Sequence, residues 1–224
     1  MAESGFWWPR LWRWAAVNAF FVGSFVLVTG RTDLPWMWAY LIIWAGILTY
    51  AFFVLDPDLR RERFRPGGPT ADPIALALMR LSALATMIVA LLDVGRFHWS
   101  DNLPRIWHVV GLVLFAVGAW LPMRSMSVNR FFSPVVRVQR ERGHRVVDRG
   151  PYAVVRHPGY AGMTVLAVGG ALLLGSLVAL VPALTFTTLV LRRVWFEDAF
   201  LRQNLEGYRE YAERVRFRLV PGVW

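Results

Sequence analysis

The sequence contains no cysteine and no lysine. Without cysteine there can be neither a disulfide framework nor a thiolate nucleophile or metal ligand. All 25 basic residues are therefore arginines, and with 15 acidic residues they give a net charge of +10. Such a charge can indicate nucleic-acid binding, but arginines placed between apolar runs are explained more simply by membrane topology. We expect no nucleic-acid partner.

Several common catalytic patterns are also absent. The four histidines (His98, His108, His144 and His157) show no HExxH or paired spacing, so we expect no metal site. Neither Ser133 nor Ser176 has the sequence context of a hydrolase nucleophile. No glycine-rich phosphate loop or Rossmann fingerprint is present, so a nucleotide-like cofactor would need a site of different construction.

Apolar residues make up most of the sequence. They make up 56% of the chain, which has 12 tryptophans, and this composition is typical of an integral membrane protein. Four runs approach the roughly 20 residues that cross a bilayer as a helix: 14–30, 36–55, 74–92 and 106–122. A fifth run, 163–191, would reach about 43 Å as one helix, beyond a hydrocarbon core of about 30 Å. We therefore predict a hairpin of helices 159–174 and 177–205 that turns at Leu174–Ser176.

The prediction is thus an all-α integral membrane protein with five to six transmembrane helices, including the carboxy-terminal hairpin. Residues 1–123 form the amino-terminal transmembrane helices, and residues 124–224 form a second, polar and hairpin-containing region. If the amino terminus is cytoplasmic, the inner segments hold 21 of the 25 arginines, while Arg31, Arg96 and Arg105 lie outside and Arg80 lies within a span. This bias predicts that both termini are cytoplasmic. Six full crossings and five crossings with a shallow hairpin are both compatible with it.

Two further expectations concern localisation and one buried charge. No small-residue cleavage site clearly follows the first apolar run, so we expect no cleaved signal peptide. The exclusive use of arginine and the compact length are typical of a GC-rich bacterium, which predicts the bacterial inner membrane. Arg80 is costly in lipid, so it either reaches a polar cavity or satisfies a helix end.

A polar segment, 124–160, separates the fourth span from the hairpin. Its pieces "FFSPVVRVQ" and "HRVVDRGPYAVV" are rich in β-formers, which favours a folded cytoplasmic cap. Pro158 suits the first turn of a helix, so we expect unpaired backbone N–H groups near Gly159 and Tyr160 to be available to an anion. Arg156 can offer a forked partner to the same anion. The alternative is that these arginines only contact lipid headgroups.

A second polar group lies where the last helix leaves the membrane. Arg193 and Glu197 are spaced i, i+4, so they share one helix face and can pair. Partly screened from water, such a pair can orient a polar acceptor or tune its proton affinity. The alternative is an ordinary surface ion pair at a helix end.

The stretch "GPYAVVRHPGYAG", the following apolar hairpin, "RRVWFEDAFL" and "YREYAERVRFRLVP" together resemble the isoprenylcysteine carboxyl methyltransferase family, which is related to membrane phospholipid methyltransferases. The resemblance covers roughly residues 124–221. It implies methyl transfer from S-adenosylmethionine to a lipid-like or prenylated acceptor at the cytoplasmic face. The residues that the resemblance implies for the cofactor cavity are Gly150, Pro151, Tyr152, Arg156, His157, Pro158 and Tyr160.

The same resemblance implies the groups that face the acceptor. Arg193 and Glu197 would lie near the reacting groups, and Asp198 stands where the family often has a second glutamate. Tyr208 and Tyr211 match the closing segment, which would fold back over the site. We favour methylation of a carboxylate oxygen, while a phospholipid amine and a small thiol stay open as acceptors. Two other classes also stay open, an NADPH-dependent membrane reductase and a non-enzymatic transporter or scaffold.

Overall fold

In the part of the chain that the computed structural model describes, residues 8–101 and 103–224, all regular secondary structure is helical and no strand occurs. Within those two ranges the α-helices are α1 (Trp8–Thr29), α2 (Pro35–Thr49), α3 (Pro57–Phe64), α4 (Pro73–Leu92), α5 (Arg105–Val128), α6 (Pro158–Leu174), α7 (Leu180–Asn204) and α8 (Tyr208–Arg214). Four of these helices begin with proline, which has no N–H to leave unpaired at a helix start.

The four predicted spans are all present as long apolar helices. They are α1, α2 with a π-helical extension to Val54, α4 with a similar extension to Phe97, and α5. Each is long and apolar enough to cross a bilayer, so the prediction of an all-helical integral membrane fold is confirmed. The fourth run is longer than predicted, because α5 continues through Pro122 to Val128.

The predicted hairpin is formed by α6 and α7. Gly175 ends α6 in the left-handed conformation, with φ of +92°, which glycine adopts without a steric penalty. At the hairpin tip the Ser176 hydroxyl donates to the carboxylate of Asp93. At the other end the Arg192 guanidinium donates to Asp72, the N-cap of α4, at 2.8 Å. The hairpin therefore extends along the full length of α4.

Helices α5 and α6 pack with their backbones unusually close together. A Cβ built on Gly111 or Gly118 of α5 would lie 2.2 or 2.4 Å from the backbone nitrogen of Leu173 or Leu166. On α6, a Cβ at Gly169 would lie 2.5 Å from the backbone nitrogen of Phe115. Small residues that let helices approach in this way are typical of packing in membranes. This contact fixes the hairpin against the amino-terminal spans.

The polar segment after α5 is folded. The two β-rich pieces form no strand; the segment is irregular and holds 3₁₀ turns at Arg140–Arg142 and Gly150–Ala153. Long-range contacts hold it in place instead: the Ala71 N–H donates to the Val136 carbonyl at 3.0 Å, and Arg137 pairs with Glu62 at 2.8 Å. The β propensity of these two pieces produces no strand because these tertiary contacts override it.

The two predicted regions are joined by a continuous helix. Their boundary, between residues 123 and 124, falls inside α5. Residues 1–7 of the first region, where the predicted cytoplasmic amino terminus falls, lie outside the described residues.

Gly169→Ala tests the close packing of α5 and α6. The added methyl group has no room, and overpacking of this kind costs about 1–3 kcal/mol. We expect the midpoint of thermal unfolding in detergent to fall by several degrees. Gly46→Ala in α2 is the matched control, because a Cβ there meets nothing within 4 Å and alanine favours helix. Equal midpoints for the two variants would contradict the packing argument.

Candidate active site

The polar segments and the helix ends enclose one cavity of about 340 Å³. This size falls in the range of roughly 300–1,000 Å³ that small-molecule sites occupy. Its walls come from the ends of α4, α6 and α7 near Asp72, from the irregular segment after α5, and from α8. The predicted residues that line it are Tyr152, Arg156, His157, Tyr160, Arg193 and Glu197. These predicted side chains, which come from separate segments of the sequence, therefore lie around one cavity.

Arg193 and Glu197 are linked by a third side chain. The Arg193 Nε donates to the Tyr160 hydroxyl at 2.8 Å, and that hydroxyl donates to Glu197 Oε2 at 2.8 Å. Arg193 is only 1% exposed, and it also donates to the Pro134 carbonyl at 2.7 Å. The expected direct pair is therefore replaced by a bridge through Tyr160, because the carbonyls of the neighbouring segments draw the guanidinium away.

Arg156 has a different partner from the one expected. Its Nε and Nη2 donate to the two oxygens of Asp198 at 2.7 and 3.0 Å, while Nη1 donates to the Val215 and Arg216 carbonyls. The fork predicted for a bound anion is thus occupied by Asp198. Arg156 is 4% exposed, and it contributes to the cavity wall while tying the carboxy-terminal tail to the helix.

Asp198 is the centre of this buried network. Its carboxylate also accepts from the Tyr208 hydroxyl at 3.0 Å, from Arg202 and from Arg218. Burial by itself raises the pKa of the Asp198 carboxyl, but His157 and Arg156 outweigh that effect and hold the pKa well below its usual range. Asp198 lies behind the cavity wall and not on it, so its surroundings differ from those expected for an acceptor-binding group.

The carboxy-terminal segment folds back over the site. The backbone N–H groups of Arg156 and His157 donate to the carbonyls of Phe217 and Arg218, each at 2.9 Å. From α8, the Tyr211 hydroxyl donates to the Tyr152 carbonyl at 2.8 Å. The tail thus holds the "RHP" backbone in one conformation.

Three of the predicted cofactor residues do not line the cavity. Gly150 and Pro151 form the 3₁₀ turn that places Tyr152, and Pro158 begins α6. The N–H of Tyr160 donates to the His157 carbonyl at 3.1 Å, so the expectation that it is unpaired was wrong. The cofactor-binding roles of the seven predicted residues stay predictions.

Several lining residues were not found from the sequence. Arg137 reaches the wall while paired with Glu62, and the Gln139 N–H donates to His144 Nδ1 at 3.2 Å. These groups lie in irregular segments whose conformation depends on partners up to 75 residues away, so no local pattern identifies them. Within the described ranges no cluster of three or more potential metal ligands occurs.

Comparison with known proteins gives consistent matches. Residues 106–207 match the model of the phospholipid methyltransferase family. The probable protein-S-isoprenylcysteine O-methyltransferase of Oryza sativa subsp. indica is 33% identical over 119 residues, which are 51% of this chain and 62% of that protein. Protein-S-isoprenylcysteine O-methyltransferase B of Arabidopsis thaliana is 28% identical over 156 residues, 65% of this chain and 78% of that protein. The chain thus spans somewhat under two thirds of the rice relative.

A solved structure extends the match to nearly the whole fold. The eukaryotic intramembrane Ras methyltransferase ICMT superposes with a TM-score of 0.55 at 18% identity, covering 93% of this chain and 76% of that one. At this identity the match concerns the fold, and it includes the amino-terminal spans that the sequence resemblance did not reach. The resemblance read from the motifs is confirmed.

The pH dependence of stability tests the environment of His144. Burial, with smaller contributions from Arg142 and Arg137, lowers the pKa of His144 from 6.5 to about 4. A lowered histidine pKa means that its contribution to stability is complete above about pH 6.5 and is lost as the pH falls toward 4. His144→Asn cannot take up a proton, so the thermal midpoint of the wild type should fall more than that of the variant between about pH 7 and 4.5. Parallel curves would contradict this environment.

Proposed function

We propose that this relative of the isoprenylcysteine carboxyl methyltransferases transfers a methyl group from S-adenosylmethionine to a lipid-like acceptor. The acceptor group that we favour is a carboxylate, as on a prenylated cysteine. The supporting observation is that the "RHPGY" segment, the emergent end of α7 and helix α8 line one cavity between polar segments and apolar helices. A cofactor from water and an acceptor from lipid can both reach such a place.

The lining chemistry suits S-adenosylmethionine, which combines an adenine ring, a cationic sulfonium and an amino-acid group. The rings of Tyr152 and Tyr208 offer aromatic faces, which attract both bases and cations. Glu197 is the single acidic side chain among the described lining residues, and its Oε1 has no hydrogen-bond partner in the described part of the chain. A carboxylate with one open oxygen fits a neighbouring positive charge.

The bound cofactor supplies the reactive methyl group, and the protein supplies position and exclusion of water. In our proposal Tyr152, His157 and Tyr208 hold the cofactor. The Arg193–Tyr160–Glu197 bridge faces the acceptor and orients it. Since an ionised carboxylate is already a nucleophile, orientation can account for several kcal/mol of the barrier reduction without proton transfer.

We assign Arg156 and Asp198 mainly to positioning. Asp198 is 1% exposed, and its oxygens are occupied by Arg156, Arg202, Arg218 and Tyr208. In this role the pair holds α7 and the tail together so that Glu197 and Tyr208 face the same space.

The charges of the lining favour an anionic acceptor over an amine. Six arginines line the cavity (Arg63, Arg80, Arg137, Arg145, Arg156 and Arg193), against the one lining carboxylate. Two of them, Arg137 and Arg156, have acidic partners behind the wall. The remaining surplus attracts a carboxylate and disfavours a protonated amine. We keep a phospholipid amine and a small thiol as alternative acceptors that product analysis distinguishes.

We further propose six crossings with both termini cytoplasmic in a bacterial inner membrane. The contact of Ser176 with Asp93 supports full crossing by the hairpin, because Asp93 lies at the far end of a helix long enough to span the bilayer. The arginine bias supports the orientation.

S-Adenosylhomocysteine, the demethylated cofactor, should stabilise the purified protein against heat. A ligand that binds only the native state at about 100 times its Kd adds about 2.7 kcal/mol, so the unfolding midpoint in detergent should rise by several degrees. NADPH at the same concentration should leave it unchanged. The opposite preference would favour a membrane reductase, and no shift with either would favour a transporter or scaffold.

Tyr160→Phe and Glu197→Gln test the bridge. Tyr160→Phe removes the hydroxyl that joins Arg193 to Glu197, and Glu197→Gln removes the carboxylate charge. In each variant kcat for labelled methyl transfer into membrane extract should fall about 10²-fold or more, as expected when reacting groups lose alignment. Stabilisation by S-adenosylhomocysteine should persist in Tyr160→Phe.

Tyr50→Phe is the matched control for the lost hydroxyl. The Tyr50 hydroxyl donates to the Met123 carbonyl at 3.0 Å and does not line the cavity, so activity should be retained. Near-normal turnover in both bridge variants would remove Arg193, Tyr160 and Glu197 from the assignment.

A further inference from the structure

Arg80 is the lining cation whose position is hardest to explain by folding. It lies seven residues after Pro73, the first residue of α4, about 10 Å along the helix axis from that end. The surrounding sequence is apolar, and the helix is long enough to cross a bilayer. A guanidinium at that depth is costly unless it faces a polar space or a counter-charge.

No counter-charge comes from the residues that the structure describes. Among residues 8–101 and 103–224, Arg80 has no ion pair and no side-chain hydrogen bond, and its side chain is exposed. Other lining arginines are engaged: Arg137 pairs with Glu62, Arg156 with Asp198, and Arg63 lies over the ring of Phe132 at 5.1 Å. Arg145, which also lacks a partner among these described residues, belongs to the polar segment and not to an apolar helix.

The cavity has a polar end near the start of α4 and an apolar end farther along that helix. The polar end holds Arg193, whose Nη1 donates to the carbonyl of Asp72 just before α4. Deeper along α4 and α6, the lining residues Met79 and Met163 pack with the apolar cluster that includes Val190. Arg80 follows Met79 directly, so it stands where the polar part of the cavity meets its apolar part.

We propose that Arg80 binds the acid group of the lipid-like acceptor and makes the protein selective for anionic acceptors. This inference rests on the proposed function and names the substrate class of the same cavity. The planar guanidinium can donate two parallel hydrogen bonds to a carboxylate. The acceptor tail then extends along Met79 and Met163. The anionic group that Arg80 recognises could also be offered by a phospholipid phosphate, and the experiment separates the two sources.

The test compares binding of an acid and its neutral analogue. Radiolabelled N-acetyl-S-farnesyl-L-cysteine is bound to the purified protein in zwitterionic detergent with S-adenosylhomocysteine present, and is displaced by the unlabelled acid or by its carboxamide. The wild type should prefer the acid. Since a hydrogen bond to a charged group contributes about 1.5–3 kcal/mol, Arg80→Gln should reduce the ratio of the two dissociation constants about tenfold or more.

Two further variants make the result specific. Arg80→Lys keeps the charge but loses the fork, so it should retain part of the preference. Arg31→Gln removes a charge at the opposite end of the helices, where Arg31 pairs with Asp33, and should retain the full wild-type ratio.

An unchanged ratio in Arg80→Gln, or a wild type that does not distinguish acid from amide, overturns the proposal. If Arg80 binds a phospholipid instead, the ratio of dissociation constants is unchanged in Arg80→Gln. The wild type is then more stable in anionic than in zwitterionic nanodiscs, and Arg80→Gln loses this difference. Failure of the proposed function gives a different result. S-Adenosylhomocysteine then does not stabilise the wild type, while Arg80→Gln still lowers the ratio of the two dissociation constants.

Discussion

The buried carboxylate of Asp198 is the interaction on which the site depends. It receives both arms of the Arg156 fork, and the Tyr208 hydroxyl and the Arg202 and Arg218 side chains as well. These donors come from the segment before α6, from α7 itself, from α8 and from the tail. Removing a partner from a buried charge is strongly destabilising, so the network is most stable with its donors in place. One aspartate thereby fixes the relative position of four chain segments.

Close helix packing supports the Asp198 network. The backbones of α5 and α6 approach through Gly111, Gly118 and Gly169, and the hairpin tip is tied to Asp93. Close helix packing fixes the start of α6, where Tyr160 lies, while the Asp198 network fixes the end of α7, where Glu197 lies. The hydroxyl of Tyr160 can bridge Arg193 and Glu197 because these two supports fix the helix ends that carry the three side chains.

The spans were predictable from the sequence, because a lipid solvent requires long apolar helices and leaves few alternatives. The hairpin was predictable too, since 163–191 is too long for one crossing, and the family motif brought Arg156, His157, Arg193 and Glu197 to one place. The partners of these residues were not predictable. Whether Arg156 binds a ligand or Asp198, and whether Arg193 meets Glu197 directly, depends on where the tail and irregular segments fold. Those positions are set by contacts that no local pattern encodes.

The location of the cavity follows from the same solvent constraint. Irregular backbone is excluded from lipid, so a site built from loops must lie at the helix ends. The proposed lipid-anchored acceptor must nevertheless bring its reacting group to that site, and its approach passes the apolar lining of Met79 and Met163. Arg80 lies along this approach and Arg193 at its polar end. A line of cations that begins within the apolar helices gives an acidic headgroup a favourable position before it meets water, whereas a neutral lipid gains nothing from it.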